Sequence, residues 1–142
     1  ERQEKIEWSE NKYNSPGTVR LAKLYVEMGR YQKAEKILER LLAVKKQSTN
    51  TYDAIEPALL LAIAQTNNGK FKEAERNFEF VKDYWEKLKY QFLGDRLPKQ
   101  FLLAYTSFLK KSGQKDKYKT YIERLNKVLE RESRICLGCG MG

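Results

Sequence analysis

Apolar residues along this chain recur at three- and four-residue intervals rather than in alternation. Ile37, Leu38, Leu41 and Leu42 form one such set, Phe78, Val81, Trp85 and Leu88 a second, and Tyr121, Ile122, Leu125, Val128 and Leu129 a third. That spacing puts each set on one face of an α-helix. Interrupted at glycine and proline, the pattern predicts helices over residues 17–28, 31–46, 53–67, 71–91, 98–111 and 115–133. Residues 1–12, with Ile6 and Trp8, read as the end of an upstream or capping helix. Pro98 suits a helix N-terminus. The helix over 71–91 would be about 30 Å long at about 1.5 Å per residue. Linkers are expected at 47–52 and 92–97, and no segment alternates with period two, so the expected class is all-α.

The helices are organised by an internal repeat. Leu21-Ala22 is followed by Gly29, a basic residue, Tyr31 and then Ala34-Glu35; Leu61-Ala62 is followed by Gly69, a basic residue, Phe71 and then Ala74-Glu75. The two copies lie 40 residues apart, and a worn third places Gly113 44 residues after Gly69. Each position has a physical reason. Glycine can take the left-handed conformation that ends a helix. The aromatic after it opens the next helix and is expected to plug the space between the pair. The small Ala34 and Ala74 let paired helices approach closely.

The Leu-Ala pairs, Tyr25, the turn glycines, Tyr31 and Phe71, and Ala34 and Ala74 resemble the tetratricopeptide repeat (TPR) family over residues 15–133. The spacing exceeds the roughly 34 residues of the standard repeat. In that respect the units resemble those of kinesin light chains and of helical sensor domains in bacterial transcription activators of the maltose-regulon type. The third unit departs from the pattern, with Tyr118 where the small residue should stand. The resemblance implies a TPR-like α-solenoid, a right-handed superhelix of about three antiparallel helix pairs over 15–133. It is preceded by a helix end at 1–14 and followed by a flexible Cys/Gly tail at 134–142. It further implies that the first helix of each pair lines a concave groove for a protein or peptide. The groove candidates are Lys23, Glu27, Glu56, Ile63, Thr66, Asn67, Gln100, Ser107, Lys110 and Lys111, with Val19, Val26, Leu59 and Leu103 among them. The family's clamp for chaperone C-terminal carboxylates maps to Val19, Lys23, Leu60, Gln100 and Ala104, and none keeps the required side chain.

Composition narrows the function. The 142 residues contain no histidine, which removes the usual general base and every Ser-His-Asp or Cys-His arrangement. There is no phosphate-cradling glycine loop, and the glutamates read as ordinary solvent-facing residues rather than paired acids, so no enzyme and no cofactor is expected. The net charge of +9 is uneven: +4 over residues 1–50, −1 over 51–97 and +6 over 98–142. Such an excess attracts acidic partners, although lysines alternate with glutamates along most helices, as in any soluble helical surface. Lys110, Lys111, Lys115, Lys117 and Lys119, with Tyr118 and Tyr121, could hold RNA by phosphate contact and stacking; the tyrosines equally fit a helix's inner face. A nucleic-acid-binding adaptor and the sensor domain of a transcription regulator are thus the alternatives to a protein-binding scaffold.

Cys136 and Cys139 have the spacing of half a tetrahedral zinc site, but a closed site needs four ligands and the chain offers no others. No metal is assigned to them. A redox pair would want a thioredoxin-like strand pattern, and none surrounds it. No apolar run approaches the ~18 residues of a membrane span, which argues against a transmembrane protein; a cytoplasmic location is the expectation. A short array leaves apolar end faces uncovered. Self-association through the last helix, or membership of a longer array, is expected in consequence.

Overall fold

The computed structural model describes the backbone of residues 16–88 and 97–140 and the side chains of 17–88 and 97–134. Among the described residues there are six α-helices and no strands: α1 (Pro16–Glu27), α2 (Tyr31–Lys46), α3 (Tyr52–Asn67), α4 (Phe71–Glu86), α5 (Lys99–Lys111) and α6 (Lys115–Gly140). The upstream helix expected at 1–12, with Ile6 and Trp8, lies outside the described residues. The chain divides into two compact units, residues 1–84 and 85–142.

The helices pair through one turn used three times. Gly29, Gly69 and Gly113 have φ of 77°, 80° and 78°. After α1 the Arg30 N–H donates to the Tyr25 carbonyl at 2.8 Å and the Gly29 N–H to Val26 at 3.1 Å. The pairs Lys70 to Gln65 and Gly69 to Thr66, then Gln114 to Leu109 and Gly113 to Lys110, repeat that arrangement. Each turn satisfies carbonyls that a helix end leaves without donors. The worn third copy therefore keeps the turn although its side chains have drifted.

In the first unit Ala22, Ala34, Ala58, Ala62, Ala64 and Ala74 are fully buried, together with Leu38, Leu41, Phe78 and Val81. These alanines allow α1–α4 to close on one another, as expected for Ala34 and Ala74. Tyr31 is half-buried, and Phe71 is 36% exposed. Asn77 Nδ2 donates to Gln65 Oε1 at 2.8 Å, tying α4 to α3.

The second unit is built on aromatics. Phe101 stacks on Tyr105 at 5.2 Å between centroids, Tyr105 on Phe108 at 6.0 Å, and Tyr121 meets Tyr105 edge-on at 4.8 Å. Offset and edge-to-face pairs of this kind add to burial. Leu97, Leu102, Leu109 and Leu125 complete the core. Tyr118, at the position of Ala34 and Ala74, is half-buried.

Two expected boundaries are corrected. α4 ends at Glu86 rather than 91. Its apolar stripe loses burial at Leu88, 37% exposed, whose N–H closes a three-residue turn onto Trp85. In the other direction α6 continues past 133 to Gly140. Glu132 to Leu137 contains no proline and no glycine, so helix propensity carries the backbone on.

Candidate functional site

The surface that the first helix of each pair leaves uncovered can be read helix by helix. α3 is the most enclosed: ten of its sixteen residues are buried. Tyr52, Asp53, Glu56, Leu59, Ile63 and Asn67 are the remainder. At about 100° per residue these six fall on a single stripe, and four of them are among the groove positions read from the sequence. Glu56 and Asn67 are exposed, and Leu59 and Ile63 half-buried between them. Asn67 Nδ2 donates to the Ile63 carbonyl at 2.9 Å, which fixes its amide at the end of the stripe.

Thr66 does not belong to that surface. It is 6% exposed and its hydroxyl donates to the Ala62 carbonyl at 2.7 Å. It is one residue from Asn67, and one residue turns a helix by ~100°. That is enough to carry the side chain from the open stripe into the core.

On α1, Lys23 and Glu27 are exposed, with Leu24 beside them at 49%. Val19 and Val26 are half-buried. On α5, Gln100, Leu103, Ser107, Lys110 and Lys111 are all exposed and again follow three- and four-residue spacing. Leu103, at 46%, puts an apolar side chain between polar ends, as Leu59 and Ile63 do on α3. α3 and α5 thus each present one strip with an apolar middle and polar or charged ends, while on α1 Val19 and Val26 alternate with Lys23 and Glu27.

A charged cluster that sequence reasoning missed lies behind this surface. Glu35 of α2 is 5% exposed. Its two carboxylate oxygens accept hydrogen bonds from Asn68 Nδ2 at 2.7 Å and from Lys70 Nζ at 2.6 Å. Both donors belong to the α3–α4 turn, so the glutamate of one repeat grips the turn of the next. Burial pushes the Glu35 carboxyl up, but the bonds from Lys70, Asn68 and Glu39 outweigh it and hold it below its ordinary value. Burial pushes Glu39, one helical turn on, above its ordinary value, and the hydrogen bond with Glu35 pushes it further. Lys70 is raised by its bond to Glu35. The reading of every glutamate as solvent-facing is corrected here. The Ala-Glu dipeptide of the repeat does not by itself mark the burial, since Glu75, at the equivalent position, is only half-buried.

The lysines at the α5–α6 turn, Lys110, Lys111, Lys115, Lys117 and Lys119, are exposed. The tyrosines among them are structural: Tyr121 is spent against Tyr105 and carries the Arg124 guanidinium 5.2 Å over its ring. An open cleft of about 620 Å³ along α4 is lined by Lys72, Glu75, Arg76, Glu79, Phe80 and Asp83, whose charges alternate and largely cancel. Among the described residues no group of three or more metal-ligating side chains comes together. No helix among them is long and apolar enough to cross a membrane. The side chains of Cys136 and Cys139 lie outside the described residues.

Comparison with known protein families matches residues 5–56 to a tetratricopeptide repeat. The match spans α1, the turn at Gly29, α2 and the start of α3. No curated protein and no solved structure matches the chain.

Proposed function

From a chain that carries a tetratricopeptide repeat over residues 5–56, we propose that this protein is a non-enzymatic scaffold that holds a protein or peptide against the open stripes of α1 and α3 in the first unit, with α5 offering a stripe of the same kind in the second. Tetratricopeptide repeats generally mediate protein–protein interactions and are generally not catalytic. The observation that carries the reading is α3: its one accessible strip holds Glu56, Leu59, Ile63 and Asn67. Two apolar side chains flanked by an acid and an amide suit an extended or helical segment with small apolar anchors and polar ends. Lys23 and Glu27 on α1, and Gln100, Ser107, Lys110 and Lys111 on α5, supply the further polar contacts.

Affinity capture of partners by the full chain, compared with a Lys23→Glu, Asn67→Ala, Lys110→Glu variant, tests this reading. Loss of the captured proteins with an unchanged melting curve is expected. Undiminished recovery by the folded variant removes these stripes from the account.

A further inference from the structure

A different surface, on α6, has a charge pattern of its own. Lys117, Thr120, Arg124, Lys127, Arg131 and Arg134 follow one another at intervals of three, four, three, four and three residues. At about 100° per residue they occupy one stripe about 100° wide, running about 25 Å along the helix at about 1.5 Å per residue. Five of the six are basic, and all are exposed except Arg124, which is half-buried over Tyr121. The core side of α6 is the face of Tyr121 and Leu125; the stripe adjoins it at Tyr121, under Arg124, and turns away from Leu125.

The charges are not balanced along the stripe. Lys127 and Arg131 stand at i and i+4, where like charges destabilise a helix. Glu132, two residues before Arg134, is held by Lys99 of α5 at 2.9 Å on another side of the helix. Between Lys117 and Arg134 the stripe itself holds no acid; Glu123 and Glu130 stand at its border, four residues before Lys127 and Arg134.

We propose that this stripe docks an acidic helical segment of a partner protein, laid alongside α6. The alternation of three and four averages 3.5 residues, the period that keeps a seam facing a second helix over several turns. Acidic side chains at the same period on the partner would meet the basic ones in turn. A protein segment is favoured over RNA by two features. Tyr121 is packed edge-on against Tyr105 and does not form a stacking platform. Glu123 and Glu130 border the stripe, where they oppose a phosphate backbone but suit a helix with lysines at its flanks.

The proposal rests on α6 alone, so it and the stripe of α1, α3 and α5 can fail independently. The probe is a synthetic alanine-based peptide of about three heptads, with glutamates at alternating three- and four-residue spacing, read by fluorescence anisotropy against the full chain. Two variants of equal net charge are compared: Lys127→Glu, Arg131→Glu, Arg134→Glu on the stripe, and Arg30→Glu, Lys36→Glu, Lys72→Glu on the first unit. The stripe variant is expected to weaken binding by roughly tenfold or more, equivalent to about 1.4 kcal/mol; the other should stay within about twofold. A scrambled peptide should bind several-fold more weakly than the ordered one. If reversal in α6 lowers the melting temperature, the glutamine versions at the same three positions replace it. Absence of binding by the parent overturns the proposal, as does equal weakening by both variants or equal affinity for the scrambled peptide. Tighter binding of an oligouridylate, lost in the stripe variant, assigns the stripe to nucleic acid and likewise overturns it.

Discussion

Three glycines and one buried acid are the residues on which the described turns depend. At Gly69 a Cβ would meet nothing within 4 Å, so substitution there is opposed by the backbone alone. Gly69→Ala should lose about 1–2 kcal/mol, the penalty of a left-handed alanine, seen as a lower urea midpoint at unchanged slope. Glu35 predicts a pH dependence. Its folded pKa is depressed, so its contribution is present above the ordinary carboxylate value and lost as pH falls through the depressed one. Lys70 works the other way: its raised pKa keeps its contribution below the ordinary ammonium value and loses it as pH rises through the folded value. Glu39 opposes both, because its raised pKa makes its charge unfavourable in the fold once pH exceeds that value. Glu35→Ala should therefore destabilise by about 1–3 kcal/mol, leaving the Asn68 amide without its acceptor, and should flatten the acid limb of a melting-temperature profile. Glu39→Gln should raise the melting temperature at neutral pH. A Glu39→Gln protein less stable than its parent would show that the two acids do not compete.

At the scale of elements, close approach of helices through alanine is the feature most open to test. Ala74 is fully buried in α4, so Ala74→Leu should overpack and lose about 1–3 kcal/mol in a thermal or denaturant melt. Helix positions were legible because glycine, proline and apolar spacing all mark them: α1, α2, α3 and α5 start and end within one residue of expectation. α4 and α6 were not, because their ends carry no such mark. α4 stops where Leu88 ceases to be covered, a fact of tertiary packing, and α6 runs on because nothing before Gly138 breaks it. The candidate surface was legible in the same degree. Nine of its ten proposed positions are exposed or half-buried, and only Thr66 is buried. A threonine adjoining an exposed asparagine gives no clue from type alone as to which of the two faces outward. Glu35 was missed for the opposite reason, since glutamate is ordinarily a surface residue and its partners lie 33 and 35 positions away.

For the molecule as a whole, the first and last described helices keep apolar side chains at the surface: Leu24 at 49% and Met28 at 54% on or just beyond α1, and Leu129 at 40% on α6. Of the apolar set from Tyr121 to Leu129 expected on one face of the last helix, Leu125 is buried and Leu129 is the exposed member. Light scattering over a concentration series should show mass rising above the 16.8 kDa of one chain, and Leu129→Lys should reduce that rise without lowering the melting temperature. The central claim is that a protein partner lies on the open stripes of the first helices, and placing a photo-cross-linking residue on the chain tests it most directly. The account predicts that a cross-linker at Lys23 or Ile63, both in the first unit, captures the same partner, and that one at Lys36, on the exposed side of α2, captures none of it. Capture from Lys36 with none from Lys23 and Ile63 would contradict it.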